Sequence, residues 1–389
     1  MESSLDGATG SAGGAHRSFE IGDTSSVAYA RRGAAEAARA AALNETDAGR
    51  VAIVLTEAAT NILKHAGHGE LLVRPLDGGV EIIALDRGPG IADVRAALAD
   101  GHSTAGTTGT GLGAIRRLSN QVAIYSQPGA GTVLRALVQK GGANYGAGVA
   151  APAGPEIGGV CVPYPGEEVS GDGWRAQADA KGISLAVADG LGHGAEAHTA
   201  AVAALDVLRR RAGLAPAELM ELSHAALRAT RGAALALVRL DLARNALTFC
   251  GTGNISAVAF GVGRPNPTAT AAASPAIASR QAEAAQAQPE RDSYQIVSRN
   301  GIVGHTMRGA QEFELKWNAD ALLILHSDGI GTRWDLSAWP GLANQPAAII
   351  AAVLYRDFAR RRDDATVVVV RARPGVQLNH EYPTAAHPA

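Results

Sequence analysis

The sequence has little cysteine, little lysine and no long apolar run. Cys161 and Cys250 are the only cysteines in 389 residues, so no disulfide framework is predicted. No CxxC or HExxH pattern offers a zinc site. No run approaches 18 uncharged apolar residues, and residues 1–17 contain no apolar segment of a signal peptide. From these absences we expect neither a membrane-spanning segment nor a signal peptide, and we expect a cytoplasmic protein.

Charge gives no indication of a polyanionic partner. The formal net charge is −2, and only four of the 35 basic residues are lysines. Neither nucleic acid nor an acidic membrane is therefore expected as a partner. Apolar residues make up 47% and charged residues 19% of the chain, which are ordinary values for globular proteins, and the length allows two domains.

Composition divides the chain into two candidate domains. Residues 18–140 read as helices, strands, a Gly/Thr-rich loop, a short helix and a hairpin, and residues 156–374 read mostly as short strands. The segments between and around them lack a periodic apolar pattern. They are a disordered N-terminus at 1–17, a Gly/Ala/Pro-rich linker at 141–155, a low-complexity insert at 264–291 and a disordered tail at 375–389.

Polar side chains mark one face of the second predicted helix. Glu57, Asn61, Lys64 and His65 are spaced i, i+4, i+7 and i+8, and for this helix alone a solvated polar face is the favoured interpretation. Glycine-rich segments then follow in a fixed order. They are Asp86-Arg87-Gly88-Pro89-Gly90 after an apolar strand, Gly109-Thr110-Gly111-Leu112-Gly113 before a helix, and Gly129-Ala130-Gly131-Thr132 before the closing strand. Glycines at a helix start allow close backbone approach to a phosphate, so together the four segments predict a nucleotide pocket.

This order resembles the ATP-binding fold shared by gyrase, Hsp90, histidine kinases and MutL, and most closely the RsbT-type serine/threonine switch kinases. The resemblance covers about residues 18–139. It implies Asp86 on the adenine amino group with support from Thr132, Asn61 on a magnesium ion held by the phosphates, and Glu57 as the base toward the attacking hydroxyl. It also implies nucleotide contacts from the glycines, namely Gly88, Gly90, Gly109, Gly111 and Gly113. His16, the only histidine before this region, lies in a Gly/Ser-rich stretch, which disfavours a histidine kinase.

Aspartates recur at strand edges in the second half. Asp172 precedes one predicted strand, Asp189 and Asp328 end two others, and Asp363-Asp364 opens the last. Any one of them alone is more often a turn or cap residue. As a set they predict one convergent acidic site, and oxygen-only ligands favour magnesium or manganese over zinc.

The motifs around these aspartates are similar to those of metal-dependent PP2C-type phosphatases of the SpoIIE branch, closest to the RsbX-like members, over about residues 156–373. The resemblance implies two Mn²⁺ or Mg²⁺ ions held by Asp172, Asp189, the Gly190 carbonyl, Asp328 and Asp363, with Asp189 essential for catalysis. Relatives vary at the position of Asp364. His193 is either a general acid or a residue that stabilises its turn.

Together the resemblances imply an α+β fold of two domains. The first is a Bergerat-type α/β sandwich with helices on one mixed sheet, and the second is a PP2C-like β-sandwich flanked by helices. The expected function is a kinase and phosphatase that act on a serine or threonine of a STAS-domain antagonist, with a sigma factor or stressosome-like complex as a further partner. The alternative is an ATP-dependent partner-binding module that regulates a fused phosphatase. A scaffold with two decayed sites is disfavoured because every motif is complete.

Overall fold

Residues 12–98, 111–142, 154–263 and 293–372 are described by a computed structural model of the chain. Residues 1–11, 99–110, 143–153, 264–292 and 373–389 lie outside these ranges. They include Gly109, the predicted insert (264–291), the predicted tail (375–389) and most of the predicted linker (141–155). None of the helices in the described ranges is long and apolar enough to cross a membrane.

Five strands and four α-helices build the N-terminal half within residues 17–98 and 111–142. A first strand, β1 (Ala12–Gly13), pairs elsewhere, as described below. The elements are β2 (Arg17–Ile21), α1 (Thr24–Ala40), α2 (Glu45–Asn61), β3 (Gly69–Leu76), β4 (Gly79–Asp86), α3 (Val94–Leu98), α4 (Gly111–Leu118), β5 (Gln121–Ser126) and β6 (Thr132–Gln139). A π-helical turn, Ile62–Ala66, continues α2.

The strand order β2-β3-β4-β6-β5 is antiparallel at every pairing. The expectation of a mixed sheet is therefore wrong, and β2 was missed because its five residues follow a stretch with no apolar alternation. Helices α1 and α2 cover one face of this sheet, where alternate strand residues such as Val80 and Ile82 are fully buried. Asn44 caps α2 by accepting a hydrogen bond from the Asp47 amide.

The C-terminal half contains nine strands and three α-helices in the described residues. They are β7 (Glu156–Val162), β8 (Asp172–Asp179), β9 (Gly182–Gly190), α5 (Ala195–Arg211), α6 (Pro216–Ala226), β10 (Ala233–Asp241), β11 (Ala246–Thr252), β12 (Ser256–Gly263), β13 (Ser293–Ile296), β14 (Glu312–His326), α7 (Ala347–Phe358) and β15 (Ala365–Arg371). Short 3-10 turns lie at Leu336–Ala338 and Leu342–Asn344.

Strand β14 joins two layers of this half. Its first part pairs with β11, and its second part pairs with β12 and β15. One layer is β8-β9-β10-β11, and the other contains β7, β15, β14, β12 and β13. Side chains of both layers, including Trp174, Phe249 and Leu325, form the core between them. Helices α5 and α6 cover the outer face of the first layer.

Helix α7 fills the space between the two halves. Ten of its twelve residues, Ala347 to Arg356, are buried. A helix that is apolar on all sides is buried on all sides. On one side α7 packs against Leu72, Ile83 and Val133 of the N-terminal sheet, and on the other against residues of β7, β14 and β15. The order of layers is thus helices, sheet, α7, sheet, sheet, helices.

The segment before β2 also belongs to both halves, which corrects the expectation of disorder through residue 17. Strand β1 pairs with β8, whereas β2 pairs with β3. His16 between them is fully buried, with Nε2 3.2 Å from Glu81 Oε2 and Nδ1 3.3 Å from the Cys161 carbonyl oxygen. The segment is ordered because its two strands pair with one strand in each half. The composition of the segment itself does not indicate these distant pairings.

Burial of His16 predicts a pH-dependent stability. Burial, followed by the nearby Arg74 guanidinium, lowers the pKa of His16 below its usual 6.5. The unfolded chain therefore binds a proton at His16 at a higher pH than the folded chain does, so stability is retained above pH 6.5 and lost as the pH falls below it. Urea unfolding at pH 7.5 and pH 5.5 isolates this contribution as a difference between two proteins: as the pH falls, the wild type should lose on the order of 1 kcal/mol more, or gain that much less, than His16→Gln. An equal loss in both proteins would contradict the assignment to His16.

Candidate functional site

The residues that the sequence predicts at the adenine meet at the end of β4. Asp86 Oδ1 accepts hydrogen bonds from the Gly88 amide at 2.8 Å and the Thr132 amide at 3.2 Å. The Thr132 hydroxyl lies 2.9 Å from the Ser126 hydroxyl. Burial raises the pKa of Asp86. The strand end and the closing hairpin thus fix the position of this carboxyl.

Glu57 and Asn61 meet the start of α4. A Cβ atom on Gly111 would lie 2.9 Å from Glu57 Oε2 and 3.3 Å from Asn61 Oδ1. The Asn61 Nδ2 atom is buried and has no hydrogen-bond partner in the described part of the chain. A carboxylate and an amide oxygen beside a glycine helix start suit a magnesium–phosphate group, so the residues fit Mg-ATP. Gly113 is buried in the same helix, while Lys64 and His65 are exposed.

The hairpin glycine Gly131 permits this arrangement. Its φ is +79°, and a Cβ atom there would lie 2.1 Å from the Asp86 carbonyl oxygen. Gly90 has a similar restriction, since its Cβ would lie 2.0 Å from the Gln127 carbonyl oxygen at φ +73°. Only glycine therefore lets the loop after Asp86 and the hairpin pack together.

Gly131→Ala is expected to cost about 3 kcal/mol of unfolding free energy and to weaken nucleotide binding, because the new methyl group combines left-handed strain with a backbone clash. Gly129→Ala is the matched control, since its φ of +77° gives the strain but no atom lies within 4 Å of the added carbon. It should cost only about 1 kcal/mol. Urea unfolding and titration with a fluorescent ADP measure both effects, and equal losses in the two variants would contradict the clash.

The carboxylates of the C-terminal half begin with a cross-strand pair. Asp172 and Asp189 are direct partners in the β8–β9 ladder, so their side chains share one face about 5 Å apart. Ser327 Oγ donates a hydrogen bond to Asp172 Oδ2 at 2.6 Å and accepts one from the Thr366 amide at 3.0 Å. Asp172 is thereby tied to the neighbouring strands.

The other aspartates approach from β14 and β15. Asp328 follows β14, and Asn254 Nδ2 donates to its Oδ2 at 2.7 Å. Asp363 and Asp364 precede β15, and Asp364 Oδ1 accepts a hydrogen bond from the Tyr164 amide at 2.9 Å. The Asp364 Oδ2 atom is buried and has no hydrogen-bond partner among the described residues. All five predicted carboxylates therefore gather at one end of the two layers.

Their charges act on one another. Burial, followed by the charges of Asp328, Asp363 and Asp364, raises the pKa of Asp189 to about 8. Burial and the charge of Asp189 raise that of Asp172 well above its usual value. Among the described residues, no group of three or more His, Cys, Asp or Glu side chains lies close enough together to hold a metal ion as it stands. The residues nonetheless fit divalent cations, because they are oxygen donors whose mutual repulsion a positive ion relieves.

Gly190 and His193 occupy the turn after β9. A Cβ on Gly190 would lie 2.1 Å from the Ala197 carbonyl oxygen, so α5 packs directly on the strand end. His193 stacks on Tyr164, with ring centroids 4.6 Å apart, and its Nδ1 lies 2.9 Å from Glu167 Oε1. This contact supports a role for His193 in holding its turn to the segment before β8.

Two positioning residues escaped sequence reasoning. Ser327 holds Asp172 and Asn254 holds Asp328, as described above. Ser327 directly precedes the predicted metal ligand Asp328 in LHSDGIG (325–331), and Asn254 ends the glycine-containing segment FCGTGN (249–254). The aspartates that they contact are far away in the sequence: Asp172 is 155 residues from Ser327, and Asp328 is 74 residues from Asn254. Only the fold shows these pairings.

Comparisons with known proteins match both halves. Residues 22–137 match the family model described as histidine kinase-like ATPase domain, and residues 179–373 match that of stage II sporulation protein E. The chain is 33% identical over 115 residues to the serine/threonine-protein kinase RsbT of Bacillus subtilis, covering 28% of this chain and 86% of RsbT.

The second half has its own relative. It is 30% identical over 90 residues to the phosphoserine phosphatase RsbX of Bacillus subtilis, covering 23% of this chain and 45% of RsbX. Among solved structures, RsbX in complex with magnesium overlaps with a TM-score of 0.43 at 18% identity, covering 56% of this chain and 96% of that one.

Proposed function

Because this chain belongs to the stage II sporulation protein E family through its C-terminal half and to the histidine kinase-like ATPase family through its N-terminal half, we propose that it both adds and removes one protein phosphate. The observation that supports this proposal is that each half brings predicted polar site residues together among the described residues. Glu57 and Asn61 converge at the start of α4, and five aspartates converge at the ends of β8, β9, β14 and β15.

In the N-terminal half, phosphoryl transfer depends on positioning and charge neutralisation rather than on covalent chemistry. Asp86, fixed by the Gly88 and Thr132 amides, selects the adenine amino group. Asn61 holds the magnesium of Mg-ATP, and the glycines of α4 and the segment before it allow the backbone to approach the phosphates. Glu57, beside Gly111, takes the proton of the attacking serine or threonine hydroxyl.

In the C-terminal half, Asp172, Asp189, the Gly190 carbonyl, Asp328 and Asp363 hold two Mn²⁺ or Mg²⁺ ions. When bound, such ions would activate a water molecule as the nucleophile and would neutralise the phosphoryl oxygens. The chain's part is to hold the carboxylates aimed at one point. Ser327 does so for Asp172, and Asn254 does so for Asp328.

The partner proposed is a STAS-domain antagonist, phosphorylated on serine or threonine, in a cytoplasmic partner-switching pathway that includes a sigma factor or a stressosome-like complex. The names of the RsbT and RsbX relatives, a kinase and a phosphoserine phosphatase, support opposite activities. Fusion of the two halves raises the effective concentration of each activity near a partner that the other half has bound.

The test uses labelled ATP, magnesium and a STAS-domain protein from the same cell. Asp328→Ala, with its phosphatase silenced, should accumulate label on the STAS protein, and wild-type chain with manganese should remove it. The double variant Asp328→Ala/Glu57→Ala should accumulate none. Equal labelling by the single and double variants would refute the role of Glu57.

A second candidate is an ATP-dependent binding module that sequesters a partner and regulates the phosphatase. The extensive contact between the halves through α7 favours it as an alternative. ATP binding by Asp328→Ala without any phosphoprotein, combined with intact hydrolysis of p-nitrophenyl phosphate by the wild type, would support this candidate over the kinase.

A further inference from the structure

The end of α7 contacts the loop that carries the candidate adenine-binding aspartate. Arg356 Nη1 donates to the Asp86 carbonyl oxygen at 3.2 Å. Arg87, the next residue, places Nη1 3.1 Å from Asp357 Oδ1 and donates through Nη2 to the Arg356 carbonyl oxygen. We call Arg87, Arg356 and Asp357, with these contacts, the clamp. It joins the nucleotide loop of one half to a helix of the other.

The residues after α7 are tied to the candidate metal site. The Gly331 amide donates to the Phe358 carbonyl oxygen at 2.9 Å, and the Arg360 amide donates to the Gly329 carbonyl oxygen at 2.8 Å. Gly329 follows Asp328 directly, and a Cβ on it would lie 1.9 Å from the Asp364 carbonyl oxygen. The chain that leaves the clamp therefore fixes the turn of Asp328 and, three residues later, supplies Asp363.

Helix α7 is suited to transmit a displacement between these points. It is buried on both sides by well-packed sheet residues, and such interiors move as units rather than compress. The clamp itself is less protected, because the Arg87 side chain is 64% exposed and that of Asp357 is 15% exposed. Arg87 can thus leave and rejoin the clamp while α7, with Arg356 and Asp357, remains packed.

We propose that a nucleotide in the N-terminal half closes the clamp and thereby orders the Asp328 turn of the phosphatase site. A nucleotide that bridges Asp86 and the glycines fixes the loop, and Arg87 with it, so the clamp-closed state binds nucleotide more tightly than the open state. The ordered turn then presents Asp328 and Asp363 to divalent ions. Coupling of this kind is reciprocal, so ions at the phosphatase site in turn tighten nucleotide binding. This inference rests on nucleotide binding as proposed above.

Hydrogen exchange of the full-length chain tests the coupling without an activity readout. Saturating Mg-ADP should slow exchange of the Gly331 and Arg360 amides by about fivefold or more. Amides of β10 and β11, remote from the clamp, serve as the internal reference and should not change. Arg87→Ala should bind a fluorescent ADP but show no slowing at Gly331 and Arg360.

Arg17→Ala is the matched control variant, since Arg17 is a half-exposed arginine that pairs with Glu36 inside the N-terminal half. It should keep the slowing. Unchanged exchange in wild type with ADP bound, or equal slowing in Arg87→Ala, would overturn the coupling and leave the proposed function standing. Failure of the wild-type chain to bind ADP at all would overturn both.

Discussion

Asp189→Asn is expected to abolish phosphatase activity and at the same time to stabilise the metal-free chain. Loss of a residue that merely orients a metal ligand typically costs 10- to 100-fold in activity, so loss of the ligand itself should cost at least about 100-fold. The measurement is manganese-dependent hydrolysis of p-nitrophenyl phosphate. Asparagine keeps the size of the side chain, so the loss reports charge and coordination rather than packing.

The gain in stability follows from the position of Asp189 among other carboxylates. Its folded-state pKa of about 8, raised by burial and then by Asp328, lies above the 3.8 of the unfolded chain. Between these values the folded state binds the extra proton, so stability falls as the pH rises toward 8. Asparagine removes this loss, which is on the order of 3 kcal/mol.

Urea unfolding in EDTA at pH 5 and pH 8 checks this gain. The wild type should lose stability over the interval, and Asp189→Asn should lose less. Asp77→Asn, an exposed substitution in the turn between β3 and β4, is the control and should behave as wild type does. If the unfolding free energy of Asp189→Asn varied with pH as that of the wild type does, repulsion among these carboxylates would not be what destabilises the metal-free chain.

Glu81→Ala is expected to cost about 3–5 kcal/mol of unfolding free energy, the usual result when one partner leaves a buried ion cluster. Glu81 is 1% exposed, and Arg74 and Arg135 donate to its two carboxylate oxygens. Burial acts to raise the pKa of Glu81, but the charges of Arg74 and Arg135 outweigh it and hold that pKa well below its usual range. Without Glu81, the buried Arg74 and the partly buried Arg135 remain with no carboxylate between them.

Glu81→Ala should also weaken contacts at the junction of the two halves. Arg74 lies over the Trp174 ring of β8, with its guanidinium carbon 5.6 Å from the ring centroid, and His16 loses its contact with Glu81. Urea unfolding followed by tryptophan fluorescence measures the loss. Glu36→Ala, which removes an exposed pair with Arg17, should cost less than about 1 kcal/mol. Similar costs for the two variants would mean that the buried cluster contributes no more than a surface pair.

Strand ends and glycine turns have local signals, so the sequence alone places the candidate aspartates and glycines at the ends of elements. The gathering of Asp172, Asp189 and Asp328 followed from strand-edge positions alone. The sequence did not reveal which elements cover each sheet. A helix such as α7, apolar on all sides, is expected to be buried, but its sequence does not show which elements it packs against. For the same reason the burial of His16 was missed, because its environment comes from Glu81 and Cys161, far away in the chain.

The position of α7 also limits how the chain can be divided. A fragment ending at residue 140 would present Leu72, Ile83 and Val133 to water, and the complementary fragment would present one whole side of α7. Exposed apolar patches of this kind promote aggregation. The N-terminal half is therefore not expected to remain soluble as a separate fragment, because the sheet face that α7 covers would have no partner.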